Sequence, residues 1–344
     1  MHTTDIHALT KDLSPLLQSW GQAIIANLPE WNYKDAAQNP KVQAQVAQFV
    51  KALSEVSTFL SPEQQLQKLA KIIQTYVPDN HICIKNRQGK YLNKAPLVHS
   101  DTPIDAPFDI HKIMFISKGN PWLIGSCQKG KTGVVKITSF GGDVEKQAEL
   151  RKKFIESFFT FKENWQNIIF DFRGNTGGDC EVIREIAERM SGKKLTYAES
   201  TEIVDTQASD LRYGKHKSLE TEKHYTPQSP NDAYTGKIFV LQDRLNASAT
   251  EGAIYMLSQL PRCITIGEKT SGTFAGGATV DMPMPHGVLT IGTVFRKRTK
   301  NGKEIKEKEG IPPDIACPPK QALHNAISLI THKTQIRQKR QAER

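Results

Sequence analysis

The chain has 344 residues, 38% of them hydrophobic and 24% charged, a globular balance that excludes a disordered, collagen-like or disulfide-scaffold protein. Its 46 Lys and Arg outnumber 36 Asp and Glu for a formal charge of +10, so nucleic acid and anionic membranes are the acidic partners to weigh. No stretch reaches the roughly 18 to 20 apolar residues of a membrane span, and the opening MHTTDIHALTKDL has neither a basic n-region nor an apolar h-region; the expectation is a soluble, cytoplasmic chain without a signal peptide.

The first eighty residues read as helical. Leu9, Leu13, Leu16, Leu17, Trp20 and Ile24 recur at three and four, and Val42, Val46, Phe49, Val50 and Leu53 repeat the pattern. A third helix is announced by Ser61 as N-cap, Pro62 at the first helical position and Gln64 three residues after the cap, and Pro78 stops it near Val77. Such stripes are core faces, so residues 1–88 are expected to form a helical subdomain, with 89–132 a connecting segment of strand and loop.

From Gly133 short apolar runs alternate with amphipathic helices. Gly133 to Ser139 is strand-like, Val144 to Lys162 helical, and Ile168 to Phe172 a buried strand. A helix after Gly178, the strand Lys237 to Leu241, a helix after Ser248 and the strand Ile264 to Gly267 follow. Strands separated by helices imply βαβ units and a largely parallel sheet over 133–330. Val280 to Arg298, ending at Asn301-Gly302, adds antiparallel strands. Residues 196–235 are polar without a strong period and read as a surface excursion, and 331–344 as a basic, solvated tail. Much of the positive excess lies in Arg296 to Lys303 and in that tail, without a recognition helix, aromatic platform or zinc motif, so no nucleic-acid partner is expected. Cys83, Cys127, Cys180, Cys263 and Cys317 are scattered and form no CxxC pair, which reads as reduced buried thiols and not as a disulfide framework or zinc site.

Three segments are richer than packing requires. Asp171-Phe-Arg-Gly-Asn-Thr-Gly-Gly178 is glycine-rich at the carboxyl end of a buried strand and opens a helix, where backbone N–H groups can cradle negative charge; a tight turn that needs glycine only for its dihedrals is the competing reading. It is neither a P-loop nor a GxGxxG dinucleotide turn. Asn246-Ala-Ser-Ala-Thr-Glu-Gly252 places Ser248 at a helix start, where it is either an N-cap or a nucleophile served by the helix N-terminus and the Ala249 amide. Ile264-Thr-Ile-Gly-Glu-Lys-Thr-Ser-Gly272 and Glu309-Gly-Ile-Pro-Pro-Asp314 close the set, one a strand-to-turn transition and the other a proline-fixed loop.

In this order DFRGNTGG, SATE, IGEKTSG and GIPPD resemble the motifs of the tail-specific, or C-terminal-processing, serine peptidases, a family with tricorn core protease-like and chlamydial secreted protease-like branches. The resemblance implies an α/β fold with a crotonase/ClpP-like repeated ββα core and a mixed, largely parallel sheet over 133–330, preceded by the N-terminal helical subdomain. It also implies a serine endopeptidase that hydrolyses unfolded or extended polypeptides through an acyl-enzyme on Ser248, with no cofactor and no metal. The processing branch takes its lysine base just after the I-G-E-x-T-x-G glycine, and here that position is Thr273; Lys269 lies four residues earlier. The other branch uses Ser-His-Glu, for which the resemblance supplies His81 in Asp79-Asn80-His81 and Glu307 three residues before Gly310, with Glu304 and Glu309 as neighbouring alternatives. Gly177 or Gly178 and Ala249 would be the oxyanion donors. In that scheme an imidazole takes the serine proton and a carboxylate fixes its tautomer. The roughly 50 positions of 82–132 are too few for the PDZ module of processing proteases, so none is expected. A non-catalytic, hydrophobic-ligand-binding or pseudoenzyme relative resembling retinoid-binding modules is the alternative.

Overall fold

The computed structural model describes the chain except residues 1–2, 28–38, 78–81, 93–111, 117–121, 128–130, 142–143, 193–194, 205–216, 226–232, 274–278, 293, 301–302, 306–307 and 343–344. Its helices among the described residues are α1 (Thr3–Thr10), α2 (Pro15–Asn27), α3 (Pro40–Ser54), α4 (Pro62–Tyr76), α5 (Val144–Lys162), α6 (Glu181–Ser191), α7 (Ala249–Ser258) and α8 (Pro319–Ala342). The strands are β1 (Cys83–Asn86), β2 (Lys112–Ile116), β3 (Trp122–Cys127), β4 (Thr132–Ile137), β5 (Asn167–Asp171), β6 (Leu195–Val204), β7 (Lys217–Tyr225), β8 (Lys237–Gln242), β9 (Cys263–Gly267), β10 (Thr279–Met284), β11 (Gly287–Gly292), β12 (Val294–Lys300), β13 (Lys303–Ile305) and β14 (Ile315–Ala316). They fall into two units, one of residues 1–97, 198–223 and 273–308, the other of 98–197, 224–272 and 309–344. Residues 198–223 and 273–308, counted within 133–330 from the sequence, thus belong with the N-terminal helices.

In the first unit the stripe from Leu9 to Ile24 is divided between two helices. Pro15 has no amide hydrogen to continue α1, and it opens α2 while the Ser14 hydroxyl accepts the Leu17 amide at 3.4 Å. Ser61 and Gln64 form the capping box of α4, and Asn39 caps α3 by accepting the Lys41 amide at 2.9 Å. The helices bury Trp20, Phe49, Leu69 and Ile73 against Met282 and Leu289 of an antiparallel sheet of order β1-β11-β10. Trp20 Nε1 donates to Pro285 O at 3.0 Å, which satisfies the indole at the sheet's hairpin. A second sheet has the order β13-β12-β6-β7. The described residues of the polar stretch 196–235, expected as a surface excursion, are therefore mostly strand. Its pairing partner β12 lies some ninety residues later, and local periodicity carries no trace of such pairing.

The second unit is built on a seven-stranded sheet of order β14-β9-β8-β5-β4-β3-β2. Pairs from β14 to β4 are parallel, and β3 and β2 add antiparallel strands from the segment read as a connection. This is the mixed, mostly parallel α/β architecture expected. Phe158 of α5 packs on Trp165 and Phe170, and a Cβ on Gly133 would stand 2.2 Å from the Trp165 ring. On α8, Ala322, Leu323, Ala326 and Ile330 pack against Phe239, Leu241 and Ile266, and the helix continues to Ala342 through most of the segment expected as a tail. None of the five cysteines forms a disulfide; Cys83, Cys127 and Cys180 are buried, and burial pushes the Cys127 thiol up to about 11. Among the described residues no helix is long and apolar enough to cross a membrane.

Candidate active site

Three of the four motifs leave the sheet at neighbouring strand ends. β5 ends at Asp171, β8 at Gln242 and β9 at Gly267, and the register pairs Asp171 with Leu241 and Gln242 with Gly267. Loops leaving the carboxyl ends of adjacent parallel strands are where open α/β sheets bind ligands.

Ser248 stands at the head of α7 with φ 55° and ψ −123°. A side chain is disfavoured in that region, and such strain persists only where the surroundings over-determine it. The serine does not behave as an N-cap, since its side chain makes no capping bond. The Glu251 amide bonds to the Ser248 carbonyl at 3.0 Å and the Thr250 amide to the Ala247 carbonyl at 3.1 Å. The Ala249 amide has no acceptor among the described residues, as the first turn of a helix dictates.

Gly177, at φ 114°, lies against this turn, and Gly178, at φ 123°, follows it and packs against Phe140; both have left-handed backbones. A Cβ on Gly177 would sit 2.9 Å from Ala247 O and 3.0 Å from Ser248 Cβ, and one on Gly178 would sit 2.2 Å from the Phe140 carbonyl carbon. The close approach therefore requires glycine twice. The two amides differ in availability. That of Gly177 donates to Asn175 Oδ1 at 2.9 Å, so it is committed within the turn. The Gly177 carbonyl accepts from Phe140 N at 3.0 Å, and in a trans peptide the following N–H points the opposite way. The Gly178 amide is thereby turned away from Phe140 and has no acceptor among the described residues.

Buried polar side chains hold the turns together. Asn175 Oδ1 also accepts the Thr250 hydroxyl at 2.7 Å, while Asn175 Nδ2 donates to Ile137 O at 3.0 Å. Asn246 Nδ2 donates to Phe172 O at 2.6 Å and Asn175 O at 3.1 Å, and its Oδ1 accepts the Asp243 amide at 2.8 Å. Asp243 accepts the Gly174 amide at 2.8 Å and the Leu245 amide at 3.0 Å; burial raises its carboxyl above the ordinary range, against the lowering effect of those two amides. Arg173 grips Asp171 through two bonds of 2.8 Å and donates to Pro319 O at 2.7 Å. Glu251, fully buried, accepts the Thr270 hydroxyl and the Gly272 amide at 2.9 Å, and Thr270 Oγ1 accepts the Ile311 amide at 2.7 Å. That chain joins SATE, IGEKTSG and GIPPD. Asn175, Asn246, Thr250, Glu251 and Thr270 were given no role in the sequence reading; their signal was a polar residue inside a segment otherwise destined for burial.

The structure thus brings together Ser248, Ala249, Gly177 and Gly178. His81 and Glu307 lie outside the described residues, as does the side chain of Glu304; Glu309 is exposed. Lys269 is exposed, and Thr273 is half-buried.

A model of peptidase family S41 matches residues 131–317. Among solved structures, a candidate peptidase from Parabacteroides merdae superposes with a TM-score of 0.61 at 16% identity, covering 89% of this chain and 93% of its own. Mature CPAF complexed with lactacystin gives 0.58 at 13% identity, covering 95% and 98%, and a lipoprotein from Streptococcus agalactiae gives 0.52 at 15%, covering 93% and 98%. At these identities the likeness is one of fold.

Proposed function

This chain belongs to peptidase family S41 and is by that membership a peptidase acting on polypeptides; we propose that it is a serine endopeptidase whose nucleophile is Ser248. The observation that carries the reading is the strained Ser248 backbone at the head of α7, with Gly177 against it.

In the proposed reaction Ser248 Oγ attacks the scissile carbonyl of an extended chain, His81 takes the hydroxyl proton, and Glu307 fixes the imidazole tautomer and stabilises the imidazolium. Negative charge develops on the carbonyl oxygen and is met by the amides of Ala249 and Gly178, each such donor being worth about 10² to 10³ in rate. His81 then passes the proton to the leaving amine, the acyl-enzyme forms, and water attacks it by the same route. Exposure of Lys269 supports histidine as the base, because a lysine must be desolvated to lose its proton near neutral pH.

Casein hydrolysis by four variants tests the scheme. Ser248→Ala, His81→Ala and Glu307→Gln should each lose most activity while Lys269→Ala keeps it. An active His81→Ala beside an inactive Lys269→Ala would replace the triad with a Ser-Lys dyad.

A further inference from the structure

Ser248 is the middle of a five-residue span, 246–250, that is pinned at both ends to one residue. At one end Asn246 Nδ2 donates to the Asn175 carbonyl at 3.1 Å and to the Phe172 carbonyl at 2.6 Å; at the other the Thr250 hydroxyl donates to Asn175 Oδ1 at 2.7 Å. Asn246 is fully buried, and its other polar groups are committed too. Its Oδ1 accepts the Asp243 amide at 2.8 Å, its own amide donates to the Asp243 carbonyl at 3.1 Å, and its carbonyl accepts the Ser271 amide at 2.9 Å. The carboxamide has one orientation only, because a flip would set its oxygen against two carbonyl oxygens and its nitrogen against an N–H. One residue thus holds the glycine turn after β5, its own turn and the turn after β9.

A strained backbone persists only where its surroundings fix it from both sides. With positions 246 and 250 both bonded to Asn175, the chain between them is over-determined, and Ser248 carries the mismatch as φ 55°. We propose that Asn246 is a positioning residue for the nucleophile: its carboxamide holds the Ser248 backbone in this conformation and so sets where the hydroxyl stands. The proposal rests on the reading of Ser248 as nucleophile. Asn246 is buried away from substrate and acts only through Ser248. Misplacement by about 1 Å in such a site costs on the order of 10²-fold in rate.

Asn246→Asp tests it. The variant keeps the shape and the acceptor for the Asp243 amide but sets a carboxylate against the Phe172 and Asn175 carbonyls. Those carbonyls and burial disfavour the charge, so on acidification the carboxylate takes up a proton and regains one donor. Native protein and variant are compared from about pH 8 to about pH 5.5, with kcat expressed per folded molecule from circular dichroism. At the upper end the variant's kcat should lie about 10- to 100-fold below native with KM within about twofold, and the ratio of variant to native kcat should climb as pH falls. Asp243, Asp171, Arg173, Glu251, Glu268 and Lys269, the charged groups of the surrounding turns and α7, are common to both proteins, so the ratio reports position 246. A native kcat per folded molecule, or a kcat ratio flat with pH, overturns the proposal. Should the variant not fold, hydrogen exchange on the native protein decides. The Asp243 and Ser271 amides should exchange as slowly as those of β8, and unprotected exchange at either means that Asn246 holds nothing. A fully active Ser248→Ala would overturn the nucleophile reading, and this proposal with it.

Discussion

Thr250, the second residue of α7, donates its hydroxyl to Asn175 Oδ1 at 2.7 Å, tying the helix headed by Ser248 to the glycine turn after β5. The same oxygen holds the Gly177 amide, so one buried carboxamide bonds both the start of α7 beside Ser248 and the glycine turn that leads into Gly178. The two motifs are 71 to 75 residues apart in sequence, and their mutual geometry rests on neutral hydrogen bonds, each worth about 1 kcal/mol net in place but about 1 to 3 kcal/mol when one partner is removed from a buried site.

Replacing Thr250 by valine keeps the volume and deletes the bond. The expected outcome is a loss of about 1 to 2 kcal/mol in stability and a fall of about tenfold in kcat with little change in KM, because a loosened turn weakens transition-state contacts more than ground-state ones. Urea denaturation and steady-state kinetics on a peptide substrate check both. A variant with altered KM and unchanged kcat would move the role of Thr250 from the oxyanion turn to substrate binding.

The Ser248 backbone gives a second expectation. Since the hydroxyl does not cap α7, Ser248→Ala should cost less than the 0.5 to 2 kcal/mol typical of a lost cap, or about nothing. Ser248→Gly relieves a conformation whose strain is of order 1 to 3 kcal/mol and should melt at or above the alanine variant, although glycine is the more flexible residue when unfolded. Differential scanning calorimetry of the pair decides; a glycine variant melting well below the alanine one would mean that the backbone is unstrained.

Asp243 supplies a pH signature. Burial raises its carboxyl in the folded protein, so the fold holds that proton more tightly than the unfolded chain does. Its contribution favours the fold fully below the unfolded value of about 3.9 and is lost as pH rises through the higher folded value. Asp243→Asn carries no such proton. The Tm of the variant minus that of the native protein should therefore increase as pH is raised from about 4 to about 7. A difference that stays flat or decreases over that range would show that the two amide bonds to the carboxylate outweigh its burial.

Much of the second unit was legible because its strands declare themselves locally. Ile168 to Phe170 and Ile238 to Leu241 are completely buried, as inner parallel strands must be, and read as continuous apolar runs. Ser61, Pro62 and Gln64 likewise announce the start of α4 in four residues. What was not legible depends on partners distant in sequence: β1 is only four residues long and becomes a strand by pairing Cys83 with Thr290, and β6 is polar and acquires its partner in β12. At the candidate site the motifs singled out Ser248 and the two glycines, yet which glycine amide is committed within the turn was invisible, because it follows from Asn175 accepting the Gly177 amide and Phe140 N bonding the Gly177 carbonyl.

The central claim, that Ser248 is an activated nucleophile, is tested most directly by intact-mass spectrometry after treatment with a fluorophosphonate. A single covalent adduct that maps to Ser248 is expected on the native protein, and none on Ser248→Ala at the same exposure. Labelling of the alanine variant to the native extent, or a folded native protein that takes up no adduct, would contradict it.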